Sequence, residues 1–355
     1  MTSKRPLTKV AVLGATGAVG QTFVRLLENH PWFEVAEVAA SARSAGKPYA
    51  AVTRWIEGDL PAAVAGLTVK ACDPALVESP IVFSALDSNV AGDVEAAFAA
   101  AGRLVLSNAK NYRMEPDVPL VIPEVNADHL ALLDVQRARR GWTGGIVTNA
   151  NCAATMAAMA LAPLHQAFGA RRVFVATMQA VSGAGYPGVP SLDILGNVIP
   201  YIGEEEPKIE REMQKMLGVL GADAVQHASF VVSAHANRVA VENGHTVCLS
   251  VEFEREPRLD EAASVLRAWR GAPAVRGLPS APAVPLHFFE NDDRPQPRRD
   301  VMRGRGMTVS VGRLRPDPLF HLKFVATGHN TIRGAAGGSI LNAELLSATG
   351  RVGAA

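Results

Sequence analysis

The chain has 355 residues, 48% hydrophobic and 19% charged, which is enough apolar material for about two domains and too little charge for wholesale disorder. Lys and Arg number 35 against 34 Asp and Glu, so the formal charge of +1 offers no field to hold a nucleic acid and points to a small-molecule partner. Cys72, Cys152 and Cys248 are widely spaced and form no C-x-x-C pair; neither a disulfide framework nor a metal site is expected, and a reducing compartment fits best.

Met1 to Thr8 carries Lys4 and Arg5 and leads straight into a strand, without the apolar region of a secretory signal, so a cytoplasmic protein is expected. Lys9 to Leu13 reads as a buried strand. It runs into Gly14-Ala15-Thr16-Gly17-Ala18-Val19-Gly20 and then a helical pattern through Phe23, Leu26 and Leu27. A glycine loop between strand and helix lets the backbone approach a pyrophosphate at the positive end of the helix dipole, so a dinucleotide site is expected on Gly14, Thr16, Gly17, Ala18 and Val19. A second strand, Glu34 to Ala40, follows at βαβ distance and ends in Ser41-Ala42-Arg43-Ser44. An NAD site usually places an acid there. Ser41, Arg43 and Ser44 suit a 2′-phosphate instead, and NADP is the expected cofactor.

Further alternation follows, with strands at Ile81 to Leu86, Leu104 to Ser107 and Gly145 to Thr148 and a helix around Val94 to Ala101. The pattern is that of a doubly wound sheet, and Ser84, Ala85 and Leu86 fall at a strand's carboxyl end, where such sheets bind cofactors. After Asn149-Ala150-Asn151, Cys152 opens a run of helix formers. The strongly apolar part, Ala153 to Leu164, contains Pro163 and is twelve residues long, short of the ~20 needed to cross a bilayer. A thiol at a helix start meets unpaired N–H groups that lower its pKa, which makes Cys152 the candidate nucleophile, whereas Cys72 and Cys248 read as packing residues. Sulfur beside a nicotinamide implies addition to a carbonyl, hydride exchange and a thioester. The strand Arg172 to Met178 then leads to Gln179, suited to orienting a carbonyl, and to a flexible loop with Ser182 and Gly183 that can fit against a cofactor.

GATGAVG, Ser41 to Ser44, SNAKNYRM, Val121 to Asn126, NANCAAT, the loop after Gln179, GEEEPKIEREMQKML and HNTIRGAAGG, in this order, resemble the aspartate-semialdehyde dehydrogenases of the archaeal and fungal-like branch. The resemblance covers residues from about 8 to about 347. It implies a Rossmann-type doubly wound sheet, residues 1–151, completed by the C-terminal segment 330–355. An α+β catalytic and dimerisation domain of the glyceraldehyde-3-phosphate-dehydrogenase-like type, residues 152–329, would complete the chain. The implied reaction is NADPH-dependent reductive dephosphorylation of 4-aspartyl phosphate to aspartate 4-semialdehyde, or its reverse, through a thioester on Cys152. The resemblance further implies His245 as acid/base, Arg238 on the substrate α-carboxylate, Glu205 on its ammonium, and Lys208 with Arg113 on the phosphate. Pro207 interrupts the family pattern and keeps Glu206 as an alternative to Glu205; Ala153-Ala154 also departs from it.

If Asn243-Gly244 makes a hairpin turn, Glu242 lies opposite His245 with Arg238 on the same face. A helix is expected from Leu259 to Arg270, followed by a Pro-rich basic stretch, Ala272 to Arg305, read as a solvated loop or subunit contact. Strands at Met307 to Leu314 and Leu319 to Ala326 suggest an antiparallel-rich sheet of the kind that makes dimer faces, so a homodimer or homotetramer is expected. The tail leads into an amphipathic helix ending near Leu346, and the resemblance implies that it packs back onto the first domain and brings Asn330 to the nicotinamide amide. Two rivals stand: a relative acting on another activated acyl group, such as malonyl-CoA or an N-acetylglutamyl phosphate, and a non-catalytic NADPH sensor.

Overall fold

The computed structural model describes residues 6–352; Lys4, Arg5 and the last three residues of the expected C-terminal segment lie outside them. Strands β1 (Thr8–Leu13), β2 (Phe33–Ala40), β3 (Lys70–Ala71), β4 (Ile81–Ser84), β5 (Leu104–Ser107) and β6 (Gly145–Thr148) form one parallel sheet in the order β3-β2-β1-β4-β5-β6. This is the strand order of a dinucleotide-binding sheet, with its crevice where the order reverses, between β1 and β4. The strands β4, β5 and β6 are buried at every position, as a sheet covered on both faces requires.

The second sheet contains β7 (Ala170–Gln179), β10 (Val231–Arg238), β11 (His245–Phe253), β12 (Leu286–Phe288), β13 (Val309–Pro316) and β14 (Leu322–Gly328), ordered β10-β7-β11-β14-β13-β12. Its middle pairs are antiparallel and its two edge pairs parallel. A short hairpin, β8 (Val219–Leu220) with β9 (Val225–Gln226), stands apart. The helices Cys152–Phe168, Glu205–Met216 and Leu259–Ala268 contribute to one apolar core with this sheet, and the first of them is buried almost all round. Along the edge strand β10 exposed and buried residues alternate, as on a sheet with one covered face.

Two expectations are corrected. Asn243-Gly244 does not close a hairpin, because β7 lies between β10 and β11. The connecting segment is instead held by the continuation of β7: Val239 N–H donates to Gln179 O, Val181 N–H to Val241 O and Ser182 N–H to Glu242 O. Nor is the C-terminal helix Gly337–Ala348 amphipathic. It is buried from Gly337 to Leu346, because it is inserted into the first domain's core with Phe23, Phe83 and Leu106 rather than laid on the surface. The basic stretch is also partly engaged: Arg294 binds the buried Asp300, with Nε 2.7 Å from Oδ2, and stacks over Phe289.

Candidate active site

The glycine loop leaves β1 through Gly14, whose φ of +69° suits glycine and whose missing side chain lets the chain pass over β4; an added Cβ would stand 2.5 Å from Ala85 O. Gly20 packs as closely, 2.2 Å from its would-be Cβ to Gly14 O, and so seats the helix Ala18–Leu27 on the loop. No side chain caps that helix, so its first-turn N–H groups are left for a ligand. Ser41, Ala42 and Arg43 lie exposed in a turn closed by Ser44 N–H to Ser41 O at 2.9 Å, beside Lys47, which donates to Arg43 O. Ser84 is wholly buried at the end of β4, whereas Leu86, two residues on, reaches the crevice.

A cavity of about 420 Å³ joins this crevice to the second sheet. Val19, Leu86, Ser182, Gly183 and Asn330 line its cofactor-loop side, and Cys152, Gln179, Arg113, Glu205, Lys208 and Arg238 line the rest. Residues far apart in sequence converge here because β7 and β10 end together, pairing Gln179 with Arg238, while β11 begins beside them at His245. Thr16 O accepts from Gln21, which ties the glycine loop to Arg54 O, and Ala18 opens on an adjacent cavity of about 360 Å³ that shares Ser182 and Thr331.

Cys152 is the first residue of its helix. Asn151 caps it, its side chain accepting from Ala154 N–H at 2.9 Å. The Cys152 Sγ lies 3.1 Å from His245 Nε2. The other ring nitrogen, Nδ1, accepts from Ala180 N–H at 3.1 Å, so the neutral ring carries its proton on the nitrogen that faces sulfur. Two glycines make room for this pair. At Gly183 a Cβ would meet Arg238 Nη1 and His245 Cε1, both at 2.9 Å, and at Gly334 one would stand 2.7 Å from Cys152 Cβ.

Arg238 is 6% exposed and donates from Nη1 to Ala180 O at 2.8 Å, which orients the guanidinium beside the sulfur. Gln179 is buried, with Nε2 3.4 Å from Thr177 Oγ1. The three consecutive glutamates separate. Glu204 stands outside the helix with φ of +57° and binds Lys110; Glu205, buried at the helix start, accepts from Asn151 Nδ2; Glu206 accepts from Ala236 N–H on β10 at 3.0 Å. Among the three, Glu205 is the one that lines the pocket, with Lys208 Nζ 3.8 Å away. Pro207 falls in the first helical turn, where its missing N–H costs nothing. Asn330 is engaged twice, its Oδ1 accepting from Gly244 N–H and its Nδ2 donating to Ser182 Oγ, both at 2.8 Å.

Sequence reasoning missed the residues that hold these in place. Glu212, 2% exposed, accepts from Arg113 Nη1 at 2.9 Å with one oxygen and from Asn151 N–H at 2.5 Å with the other. Lys215, 1% exposed, donates to the carbonyls of Arg113, Glu115 and Val118 at 2.7, 2.7 and 2.8 Å. Arg113 Nη2 bonds Asn108 O at 2.7 Å, while its buried Nε has no partner among the described residues. Arg333 and Glu124 form a buried bidentate pair beneath the turn that carries Gly334, at 2.7 and 2.5 Å. The signal for the first two was present: Glu205, Lys208, Glu212 and Lys215 recur at three- and four-residue spacing and share one helix face.

Electrostatics depart from the expectation based on helix position. Enclosure pushes the Cys152 thiol up to about 12, with Glu205 adding to the rise and Arg113 and Arg238 opposing it. Burial takes His245 down to about 3, helped by Arg238 and His329. The pair therefore rests as thiol and neutral imidazole. Among the described residues no helix is long and apolar enough to cross a membrane, and no His, Cys, Asp and Glu cluster could hold a metal ion.

Residues 9–133 match the family described as semialdehyde dehydrogenase, NAD binding domain, and residues 161–333 the one described as semialdehyde dehydrogenase, dimerisation domain. An aspartate-semialdehyde dehydrogenase of Methanothermobacter thermautotrophicus is 50% identical over 96% of this chain and 99% of its own. One of Schizosaccharomyces pombe is 48% identical over 96% and 98%. The crystal structure of aspartate semialdehyde dehydrogenase with NADP from Candida albicans superposes with a TM-score of 0.90 at 42% identity, covering 97% of this chain and 100% of that one.

Proposed function

The chain belongs to the aspartate-semialdehyde dehydrogenase family, and from that premise we propose that it carries out the reversible reductive dephosphorylation of L-4-aspartyl phosphate to L-aspartate 4-semialdehyde through a thioester on Cys152, as a step of aspartate-family amino-acid biosynthesis in the cytoplasm. The observation that carries this reading is the 3.1 Å contact between Cys152 Sγ and His245 Nε2, with Cys152 opening on a cavity that also gathers Arg113, Arg238, Lys208 and Glu205.

NADP is the cofactor, and the residues present suit it. The uncapped helix start behind Gly17, where an added Cβ would find nothing nearer than 3.4 Å, leaves room and donors for a pyrophosphate. Arg43, exposed beside Ser41 and Ser44, is placed for a 2′-phosphate, which supports preference for NADPH over NADH. When bound, the cofactor supplies or takes the hydride at the substrate C4.

The pocket's own residues do the rest. Arg238, held by Ala180 O, grips the α-carboxylate with its remaining N–H groups, and Glu205 takes the ammonium. Lys208 and Arg113, the latter with an orphaned Nε, receive the phosphate. Gln179 orients the C4 carbonyl. As the sulfur–C4 bond forms, the C4–O bond to phosphate breaks, and the thiol proton leaves on hydrogen phosphate. His245 presents Nε2–H to the oxyanion in each tetrahedral state and to sulfur when the aldehyde is expelled. Its part is to donate a hydrogen bond from that nitrogen, because Nδ1 accepts from Ala180 N–H and the neutral ring has no free lone pair at Nε2; the proton that returns the expelled thiolate to the thiol comes from solvent.

The dimerisation-domain match supports assembly into a homodimer or homotetramer through the second sheet. The purified protein, given NADP, inorganic phosphate and a panel of aldehydes, is expected to form NADPH with aspartate 4-semialdehyde in a phosphate-dependent manner. Turnover that depends on coenzyme A instead would favour an acyl-CoA substrate such as malonyl-CoA, and cofactor binding without turnover a sensor.

A further inference from the structure

Beside the catalytic pocket, on the outer side of Arg113 and Lys208, lies a second cavity of about 250 Å³ that the reaction as described leaves unused. It shares Lys110, Arg113 and Lys208 with the catalytic pocket, so the two meet across these three cations. Its remaining charged walls are Arg211, Glu204 and Glu212.

The charges do not cancel. Glu212 is committed on both oxygens, to Arg113 and to Asn151 N–H, and Glu204 is committed to Lys110. Lys208 has only Glu205, 3.8 Å away in the neighbouring pocket. Arg211, exposed on the same helix face three residues further on, makes no hydrogen bond or ion pair among the described residues. The cavity is therefore a concave, net positive surface with one wholly uncommitted guanidinium at its rim. The Lys110–Glu204 pair is exposed, with side chains 44% and 67% accessible, so it is weak and readily exchanged for a stronger anion. Glu204 reaches Lys110 from a left-handed backbone conformation, φ +57°, that a non-glycine residue adopts only at some cost.

We propose that this cavity is an outer anion subsite, in which Arg211, together with Lys110 once Glu204 releases it, binds inorganic phosphate or the phosphate of the acyl substrate and passes it to and from Arg113 and Lys208. The inference deepens the function proposed above and rests on it for the identity of the anion. A dianion approaching from solvent meets Arg211 first, exchanges with Glu204 for Lys110, and then reaches the cations shared with the catalytic pocket; released phosphate leaves by the reverse route.

The two flanking charges give the test opposite signs. Inorganic phosphate is titrated calorimetrically into the intact protein, its Arg211→Glu and Arg211→Gln variants and its Glu204→Gln variant, at low and at high ionic strength. At low salt, binding is expected to weaken by about tenfold in Arg211→Glu, less in Arg211→Gln, and to tighten in Glu204→Gln, with the differences shrinking as salt rises. The KM for phosphate in the phosphorylating direction should move in step, with no matching change in the KM for NADP. Unchanged phosphate affinity in Arg211→Glu, or weakened affinity in Glu204→Gln, would overturn the subsite. Because calorimetry does not depend on turnover, an absence of phosphate-dependent NADPH formation in the parent protein would instead count against the proposed function alone.

Discussion

The cofactor crevice and the catalytic pocket adjoin one another, yet they are built by different means. The crevice is chiefly main chain: the turn at Gly14, the close seat at Gly20 and a helix start without a side-chain cap, all within one short stretch of sequence. The pocket is side chain. Arg113, Cys152, Gln179, Glu205, Arg238 and His245 come from the loop after β5, two helix starts and the ends of three strands. Main-chain sites tolerate most side-chain changes and depend on backbone shape, whereas a converging pocket depends on each member and on the residues that brace it.

That contrast can be broken by substitution. Cys152→Ala is expected to lower turnover by about ten-thousandfold or more while NADP still binds, measured by steady-state kinetics and cofactor titration; loss of both together would show that the two regions are one site. Glu212→Gln keeps the shape of the side chain but puts an N–H where Arg113 or Asn151 N–H needs an acceptor. Misplacing Arg113, the proposed phosphate ligand, and Asn151, the cap of the helix that Cys152 opens, should cost about a hundredfold in kcat/KM for phosphate. The cofactor's Kd should stay level in the same variant, a split that general loosening of the fold would not produce. In the crevice, Arg43→Ala should reduce the preference for NADPH over NADH by about tenfold or somewhat more, the worth of one charge-assisted hydrogen bond, and leave the NADH-dependent rate intact.

The smallest effect concerns the stability of the first domain. Glu95, on the helix Ser88–Ala100, is fully buried, accepts from Ser107 Oγ at the end of β5 at 2.8 Å, and is raised by burial from 4.5 to about 6. A carboxyl with a raised pKa in the folded state contributes stability that is complete below pH 4.5 and is lost as pH rises through 6. Glu95→Gln removes that loss, so the variant should gain up to about 2 kcal/mol on the parent at pH 7.5 and little at pH 4.5, read by denaturant titration at both. An equal difference at the two pH values would contradict the assignment.

The same contrast explains what could be read from the chain. The crevice was legible because its parts are contiguous: strand, glycine loop, helix and the serine–arginine turn follow one another. Cys152 at its helix start was legible for the same reason. Which of three adjacent glutamates enters the pocket was legible only through the resemblance, which named Glu205 and left Glu206 as an alternative, since the choice depends on the phase of a helix whose start is set by the left-handed turn at Glu204. The supposed hairpin at Asn243-Gly244 failed because local turn chemistry says nothing of a strand arriving from elsewhere, here β7, to separate the two arms. The rise in the Cys152 pKa was equally hidden, because it comes from enclosure and from Glu205, neither of which is a neighbour in sequence. Glu212 and Lys215 were within reach of the sequence, through their spacing from Glu205 and Lys208.

The central claim is that Cys152 carries the acyl group. The most direct measurement mixes the protein with aspartate 4-semialdehyde and NADP in the absence of phosphate and follows both NADPH and the mass of the chain. One equivalent of NADPH per active site, with a hydroxylamine-labile acyl group on Cys152, is the expected result. No burst, or an acyl group on any other residue, would contradict it.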